Sequence, residues 1–150
     1  MPLHPLFAPD AIALDLPATS KEEVLAAMVA LLHVEQTSAE VLLRMLERRE
    51  QLGSTGVGRG IAIPHCRSVV VPSLRMAYGR VPAGVGYDAI DGNPVHHVFL
   101  IVAPPIEVSN DYLPVLGRLA QFAKDPEVPR LLAALTTPAD FLALLEQRAG

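Results

Sequence analysis

The chain contains a single cysteine, Cys66. One cysteine cannot form an intrachain disulfide or supply a cysteine-based zinc cluster, which fits a reducing compartment. No apolar run reaches the ~20 residues that a membrane helix requires, because the most apolar stretch, Val98 to Ala103, stops at Pro104-Pro105. The segment from Met1 to Leu16 has no lysine or arginine before its apolar residues and so lacks the basic region of a signal peptide. These absences predict a cytoplasmic protein without membrane insertion.

Charged residues are also scarce, at 19% of the chain, and the formal net charge is -4. Lysines and arginines are scattered singly apart from Arg48-Arg49, so no basic stripe is present and nucleic acid is not an expected partner. The hydrophobic content of 51% over 150 residues predicts one folded domain, residues 1–150, with a substantial core. Prolines crowd the N-terminus, so residues 1–13 are expected to be extended or poorly ordered, with an edge strand near Ile12 to Leu16.

Local patterns predict helices before and after a set of strands. A capping box at Ser20 to Glu23 opens a first helix that ends near His33, and Thr37 to Glu40 opens a second that runs to about Gln51. The later expected elements are strands at 69–71, 74–81 and 95–103, then helices at 110–124, 125–135 and 137–145. The apolar strand from 95 to 103 is expected to be central. This order indicates an α/β or α+β fold with a mixed parallel and antiparallel sheet sandwiched by helices.

The segment from Gly53 to His65 has the composition of a phosphate site that ends in a nucleophile. Glycines permit turns and a close approach of main-chain N–H groups to a ligand, and two hydroxyls add donors. Pro64 then fixes a backbone dihedral directly before the imidazole of His65. An imidazole has an ordinary pKa of about 6.5, so at neutral pH it can attack phosphorus without a metal or a cofactor. The residues assigned to phosphate binding are Arg49, Ser54, Thr55, Gly56, Gly58 and Gly60.

Two common glycine motifs are excluded by their spacing. A P-loop requires lysine and a hydroxyl residue after its last glycine, and Gly58 is followed by Arg59-Gly60 instead. A dinucleotide-binding fingerprint requires a third glycine where this chain has Ile61, and no strand leads into the loop. The remaining alternative to a phosphate site is a tight surface loop that carries a structural histidine.

Arg49 lies on the apolar stripe of the second predicted helix. In helical projection it falls about 20° from Leu42, so its guanidinium is directed toward the core edge beside the glycine loop. A buried charge requires an anionic partner, and a phosphate on His65 would supply one. The alternative is an internal ion pair with Glu47, Glu50 or a distant aspartate.

The pattern Arg-Glu, Ser-Thr-Gly, Gly, Ile-Ala-Ile-Pro-His, read between Arg49 and His65, resembles the active-site signature of a known family. The family is that of the type-2 enzyme IIA domains of the bacterial phosphotransferase system, the fructose/mannitol and nitrogen-regulatory group, and the similarity extends roughly from Leu14 to Glu146. It implies that His65 accepts phosphate from phospho-HPr or its nitrogen-branch paralogue. It further implies transfer to a IIB domain, or regulation of partners through the phosphorylation state. A homodimer is left open.

One position departs from the family pattern. Where the family usually has a second histidine followed by leucine, this chain has Tyr112 followed by Leu113. A phenol can donate a hydrogen bond near the active-site imidazole but cannot carry a positive charge. A regulatory binding module that has lost phosphorylation is therefore kept as the alternative function.

Structural roles are assigned to Cys66, His96 and His97. Cys66 follows His65 directly, and a cysteine-histidine enzyme is disfavoured because sequence neighbours rarely align for proton transfer. His96 and His97 begin the central strand, where adjacent side chains are expected to point to opposite faces and not to share a metal. No metal site is predicted.

Overall fold

A six-stranded mixed sheet lies between two helical layers in the structure, a computed structural model that describes residues 2–149. After a 3-10 turn (His4–Leu6), the elements follow in this order: β1 (Phe7–Ala13), α1 (Lys21–Ala30), α2 (Gln36–Gln51), β2 (Gly56–Gly58), β3 (Ile61–Ala62), β4 (His65–Arg67), β5 (Arg75–Val85), β6 (Val95–Ala103), α3 (Tyr112–Lys124), α4 (Val128–Ala133) and α5 (Pro138–Ala149). The predicted fold class, a mixed sheet sandwiched by helices, is confirmed.

Strand β6 is central, as its apolar sequence predicts. The sheet order is β1-β5-β6-β3-β2, and β4 also pairs with β6. β5 is antiparallel to β6, whereas β3 and β4 are both parallel to it and lie one after the other along the same edge. Every residue of β6 except His96 is buried, because helices cover both faces of the sheet.

Two apolar cores form, one on each face of the sheet. The first packs α1 and α2 against alternate residues of the strands, with Val24, Met28, Leu42 and Leu46 fully buried. The second packs α3, α4 and α5 against the opposite residues, and its aromatic centre is Tyr78 stacked on Phe141 at 4.4 Å between ring centroids. The alternation of strand side chains therefore decides which helical layer each residue of the candidate site faces.

The helix starts were predicted with mixed success. Ser20 caps α1 by accepting the Glu23 main-chain N–H at 3.2 Å, as the capping box predicts. The second capping prediction is wrong, since α2 begins at Gln36 and its N-terminal flanking residue is Glu35, which makes no side-chain cap bond. The prediction that α1 continues to His33 is also wrong, because the helix ends at Ala30 and His33 adopts a left-handed φ of 55°.

The strand expected at residues 69–71 is absent from the structure, which has a turn there. The chain pairs with β6 earlier, through His65–Arg67, and Val69 is then 83% exposed. Near the N-terminus, β1 begins at Phe7 rather than at Ile12, and it forms an edge of the sheet beside β5. None of the helices between residues 2 and 149 has both the length and the apolar character needed to cross a bilayer.

Candidate active site around His65

His65 begins the short strand β4, where the chain resumes pairing with β6. Pro64 separates β3 from β4, and its carbonyl accepts the main-chain N–H of Ile101 at 3.0 Å. His65 is then the register partner of Ile101, and its side chain is half-buried. The strand geometry therefore holds the imidazole at the edge of the second core, with part of the ring open.

One hydrogen bond sets the orientation of the His65 ring. Its Nδ1 lies 2.7 Å from the carbonyl oxygen of Ile63. A carbonyl only accepts, so Nδ1 carries the proton, and in the neutral ring Nε2 keeps its lone pair. No residue between 2 and 149 makes a hydrogen bond to Nε2. The arrangement leaves one nucleophilic nitrogen available and pointing away from its own backbone.

Arg49 lies in the last turn of α2, directly before the glycine loop. Its Nη1 donates to the carbonyl of Gly53 at 2.8 Å, and the residue is half-buried. Within residues 2–149 no carboxylate forms an ion pair with it, so the alternative of an internal pair with Glu47, Glu50 or an aspartate is wrong. Four of its five N–H donors remain for another acceptor.

Glu50 is the centre of a buried network that holds the start of the loop. Its carboxylate accepts the Thr55 main-chain N–H at 3.0 Å, the Thr55 hydroxyl, and the Tyr87 hydroxyl at 3.2 Å. Lys21 completes the network at 3.0 Å from Oε1 and lies over the Tyr87 ring at 4.6 Å. These contacts join α1, α2, the glycine loop and the segment after β5.

The loop hydroxyls predicted to bind phosphate have internal acceptors. Ser54 donates to the carbonyl of Tyr87 at 2.8 Å and accepts the Gly56 N–H at 3.1 Å, while Thr55 is buried against Glu50. A hydroxyl has one proton to donate, so in this arrangement both hydroxyls shape the loop. A direct phosphate contact from either one stays a prediction.

Two glycines of the loop are required by its geometry. A Cβ on Gly56 would lie 2.8 Å from the backbone of Ala89, which packs directly against it. Gly58 has a φ of 98°, which side chains rarely adopt. Gly60 lies further from His65 than these two glycines, because its carbonyl accepts the N–H groups of His96 and His97 at the beginning of β6. Its role in phosphate binding stays a prediction. The loop thus runs from the His65 end of β6 to the opposite end.

Tyr112 meets His65 at the start of α3, as the resemblance implied for the family's second histidine. The two ring centroids are 6.0 Å apart. Burial raises the pKa of the Tyr112 phenol to about 12, with the Cys66 thiol adding to the rise and the charges of Arg67 and Arg49 opposing it. The phenol is therefore a protonated donor at neutral pH, and the charge of Arg49 acts on Tyr112.

Arg67 is a site residue that the sequence reasoning missed. Its guanidinium carbon lies 4.5 Å from the centroid of the Tyr112 ring, and its Nη1 donates to the carbonyls of Pro104 at 3.1 Å and Ser109 at 3.4 Å. Strand side chains alternate, so a residue two positions after His65 shares its face. That spacing could have identified Arg67 had β4 been recognised as a strand.

Cys66 points to the opposite face and joins the first core. It is 8% exposed, and burial raises the pKa of its thiol to about 12. A thiol in that setting is not a nucleophile at neutral pH, so the structure supports the predicted role of a small buried hydrophobe.

The expectation that His96 and His97 point apart is wrong in one respect, because both line one cavity, with ring centroids 6.3 Å apart. The register between β5 and β6 shifts between Arg80 and Val85, which breaks the regular alternation at this end. Among residues 2–149, no three His, Cys, Asp or Glu side chains are grouped to hold a metal ion.

The sequence family described as "Phosphoenolpyruvate-dependent sugar phosphotransferase system, EIIA 2" matches residues 5–148. The chain belongs to this family. The resemblance predicted from the glycine loop and His65 is therefore confirmed. It makes the chain an EIIA-type domain of the phosphotransferase system, with a phosphocarrier or regulatory role.

Curated relatives include both regulatory and sugar-specific proteins. A nitrogen regulatory protein of Bradyrhizobium diazoefficiens is 32% identical over 135 residues, which cover 89% of this chain and 88% of that protein. A fructose-specific EIIABC component of Bacillus subtilis is 31% identical over 153 residues, which cover 98% of this chain but only 23% of that longer protein. The EIIA family is thus found both as a separate regulatory chain and as one part of a larger component.

Solved structures have the same fold. The crystal structure of nitrogen regulatory protein IIA-Ntr from Neisseria meningitidis has a TM-score of 0.86 and 31% identity, covering 95% of this chain and 98% of that one. The mannitol enzyme IIA of Escherichia coli, in complex with phosphorylated enzyme IIB, has a TM-score of 0.72 and 25% identity, covering 95% and 100%. The arrangement of sheet and helices described above is that of the family.

Proposed function

We propose that His65 carries the phosphoryl group of this EIIA domain as a phosphohistidine. The observation that carries the proposal is the hydrogen bond from Nδ1 to the Ile63 carbonyl, which leaves Nε2 as the free nucleophile in a half-buried ring. An imidazole held in one tautomer and one orientation does not lose further conformational entropy when it aligns for the reaction. The signature that led to His65 in the sequence supports the same residue.

The transfer step is a nucleophilic substitution at phosphorus. The lone pair of Nε2 forms a new N–P bond while the bond between phosphorus and the donor's nitrogen breaks, and the donor's imidazole keeps the bonding electrons. The phosphoryl group spreads negative charge over three equatorial oxygens, so nearby cations and N–H groups lower the barrier. Arg49, which has no carboxylate partner among residues 2–149, is assigned to that role together with the loop from Ser54 to Gly58.

Tyr112 and Arg67 form a second group of side chains next to His65. Tyr112 offers a phenol proton next to the imidazole, and Arg67 stacks on the ring of Tyr112. The guanidinium of Arg67 is anchored by two carbonyls, which holds it against the Tyr112 ring. We assign Tyr112 to hydrogen bonding and Arg67 to positioning Tyr112.

The donor and the acceptor are proteins in this proposal: a phospho-HPr-like donor or its nitrogen-branch paralogue, and a IIB domain or a regulatory target in the cytoplasm. The mannitol enzyme IIA structure, which contains a phosphorylated IIB partner, supports the choice of acceptor. Apolar side chains are also exposed in segments that adjoin Arg49, Gly56, Arg67 and Tyr112, as expected of a surface that docks proteins. These side chains are Leu52, Ile90, Ile106, Val108 and Leu113.

A second function is kept because of Tyr112. The phenol cannot take up a proton to become a cation, so it cannot match a histidinium in offsetting phosphoryl charge. A domain of the same fold with this residue would then be a regulatory protein-binding module that is not phosphorylated. The two functions differ in one measurable property, the gain of a phosphoryl group.

Incubation with a phosphorylated HPr-like donor, followed by intact-mass measurement, tests the proposal. We expect one acid-labile phosphoryl group on the wild-type chain and none on His65→Ala. His33→Ala is the matched control, because His33 is an exposed histidine on another part of the surface, and it should still be labelled. An unlabelled wild type across a panel of donor proteins would favour the regulatory module instead.

A further inference from the structure

A second cluster of basic side chains lies at the opposite end of β6 from His65. A cavity of about 520 Å³ is lined there by Arg59, Arg80, His96 and His97, with an apolar wall of Pro82, Pro129 and Ala133. We propose that this cavity binds a small organic phosphate monoester, with the phosphate among the four basic groups and the organic part against the apolar wall.

The charge of the cavity favours an anion. None of the residues that line it is acidic. Asp91 accepts the Arg59 main-chain N–H at 3.0 Å, and Asp125 is paired with Arg148 at 2.8 Å. Two guanidinium groups therefore face the cavity without a carboxylate among its walls, which is an electrostatic setting that attracts anions.

Both arginines have donors to spare. Arg59 uses one N–H, from Nη1 to the carbonyl of Lys124 at 2.7 Å. Arg80 uses Nε toward the carbonyl of Leu14 and Nη1 toward carbonyls at the end of α4. Within residues 2–149 its Nη2 has no hydrogen-bond partner. Planar guanidinium groups with unused N–H pairs suit the oxygens of a phosphate.

One of the two histidines adds a donor that depends on the anion. His96 Nδ1 lies 3.2 Å from the carbonyls of Val81 and Pro82, so it donates to these carbonyls. His97 is 4% exposed and is fixed through Nδ1 to the Tyr78 hydroxyl at 2.9 Å. An anion in the cavity favours the protonated form of His97, which then gives a further N–H donor.

The charge count favours a phosphate monoester over a carboxylate. Two arginines that are always charged can offset both negative charges of a monoester, whereas a carboxylate has only one. The apolar wall favours an organic group over inorganic phosphate, since it buries a nonpolar surface. The volume limits the ligand to a small molecule.

The site is separate from the phosphoryl acceptor site. His97 is the register partner of Ile61 and His65 that of Ile101, so four strand residues, or about 13 Å, separate them. The cavity is nevertheless joined to the glycine loop, because the main-chain N–H groups of His96 and His97 both donate to Gly60. Occupation of the cavity would hold that turn of the loop in place.

Titration of the full chain with phenyl phosphate, followed by the imidazole NMR signals, tests the proposal. The signals of His96 and His97 should move and saturate, with tighter binding than for inorganic phosphate or benzoate. Arg59→Gln should weaken phenyl phosphate about tenfold or more, through loss of a charge-assisted contact, and Arg59→Lys should recover part of that loss. Arg130→Gln is the matched control, since it removes an arginine from exposed α4 surface outside the cavity, and it should bind like the wild type.

The same titration in the His65→Ala variant separates this proposal from the proposed function, because binding of phenyl phosphate to the cavity does not depend on phosphorylation of His65. Binding should persist there with the His96 and His97 signals still moving. Movement confined to His65 and the loop amides, or equal affinity in Arg59→Gln and Arg130→Gln, would overturn the proposal. Tighter binding of benzoate than of phenyl phosphate would overturn the choice of a phosphate monoester.

Discussion

The two ends of strand β6 place imidazoles in opposite settings. At one end His65 is half-buried, with Nδ1 fixed to a main-chain carbonyl and Nε2 open. At the other end His97 is buried, and burial lowers its pKa to about 4, with the charges of His96 and Arg80 adding to the effect. The same side chain on the same sheet thus keeps an open ring nitrogen in one place and is kept neutral by burial in the other.

The difference lies in what surrounds each ring. The His65 end has its cations anchored around an opening, with Arg49 and Arg67 bonded to carbonyls beside the site. Arg59 and Arg80 at the His97 end are bonded to carbonyls as well, but there the ring itself is buried, and burial together with the charge of Arg80 disfavours a positive imidazole. A nucleophile requires an accessible lone pair, whereas an anion site requires an unsatisfied positive charge. Three changes test that contrast.

The largest expected effect is that of Glu50→Ala, which acts only on the His65 end. The substitution leaves Lys21, the Thr55 hydroxyl and the Tyr87 hydroxyl without their shared acceptor in a buried setting. Removal of one partner from a buried ion pair costs about 3 to 5 kcal/mol. We expect a loss of that size in the free energy of unfolding, measured by urea denaturation, together with slower labelling of His65.

Glu47→Ala is the matched control for Glu50→Ala. It removes a glutamate from the same helix outside this network, and a change within about 0.5 kcal/mol is expected. If the two variants lost equal stability, the network around Glu50 would not be what holds the glycine loop.

The second change, His97→Gln, acts on the opposite end and is expressed in the pH dependence of stability. The pKa of His97 is lowered from 6.5 to about 4 in the folded chain, so between those values the unfolded chain binds more protons. The stabilisation is present above about pH 6.5 and is lost as the pH falls toward 4, by up to about 3 kcal/mol. His97→Gln should remove that part of the pH dependence in urea denaturation.

His96→Gln provides the comparison for that experiment. His96 is half-buried and lines the same cavity, so its loss should leave most of the decline between pH 6.5 and 4 in place. A decline that is unchanged in His97→Gln would mean that other groups cause it, and the contrast between the two ends of β6 would lose its electrostatic basis.

Local sequence signals predicted much of the fold. The capping box at Ser20 and the apolar run of β6 identify their elements because the determining contacts are made between near neighbours. Strand β4 was missed, since His65, Cys66 and Arg67 have little strand propensity and pair only because β6 offers a free edge. The strand expected at Val69 to Val71 had the propensity but no partner.

The candidate site was predictable only as far as its motif extends. His65, Arg49 and Tyr112 were selected from the family signature and from helical spacing. The contacts of Glu50 join residues 21, 50, 55 and 87, which meet only after α1, α2 and the loop have packed. The cavity at Arg59 and Arg80 lies where the register between β5 and β6 shifts, and no local sequence pattern predicts that shift.

The smallest expected effect is that of Tyr112→Phe, which tests whether the phenol hydroxyl contributes to phosphoryl transfer at His65. The substitution keeps the ring beside His65 and under Arg67 and removes only the phenol hydroxyl. A single hydrogen bond contributes about 1 kcal/mol, so the rate of phosphoryl uptake should fall about fivefold, measured by rapid-quench labelling with the same phosphorylated donor. Tyr78→Phe removes a hydroxyl from the other end, at His97, and should leave that rate unchanged. Equal rates for wild type and Tyr112→Phe would show that Tyr112 contributes only packing. Arg49 and the loop would then be the groups that stabilise the phosphoryl charge at His65.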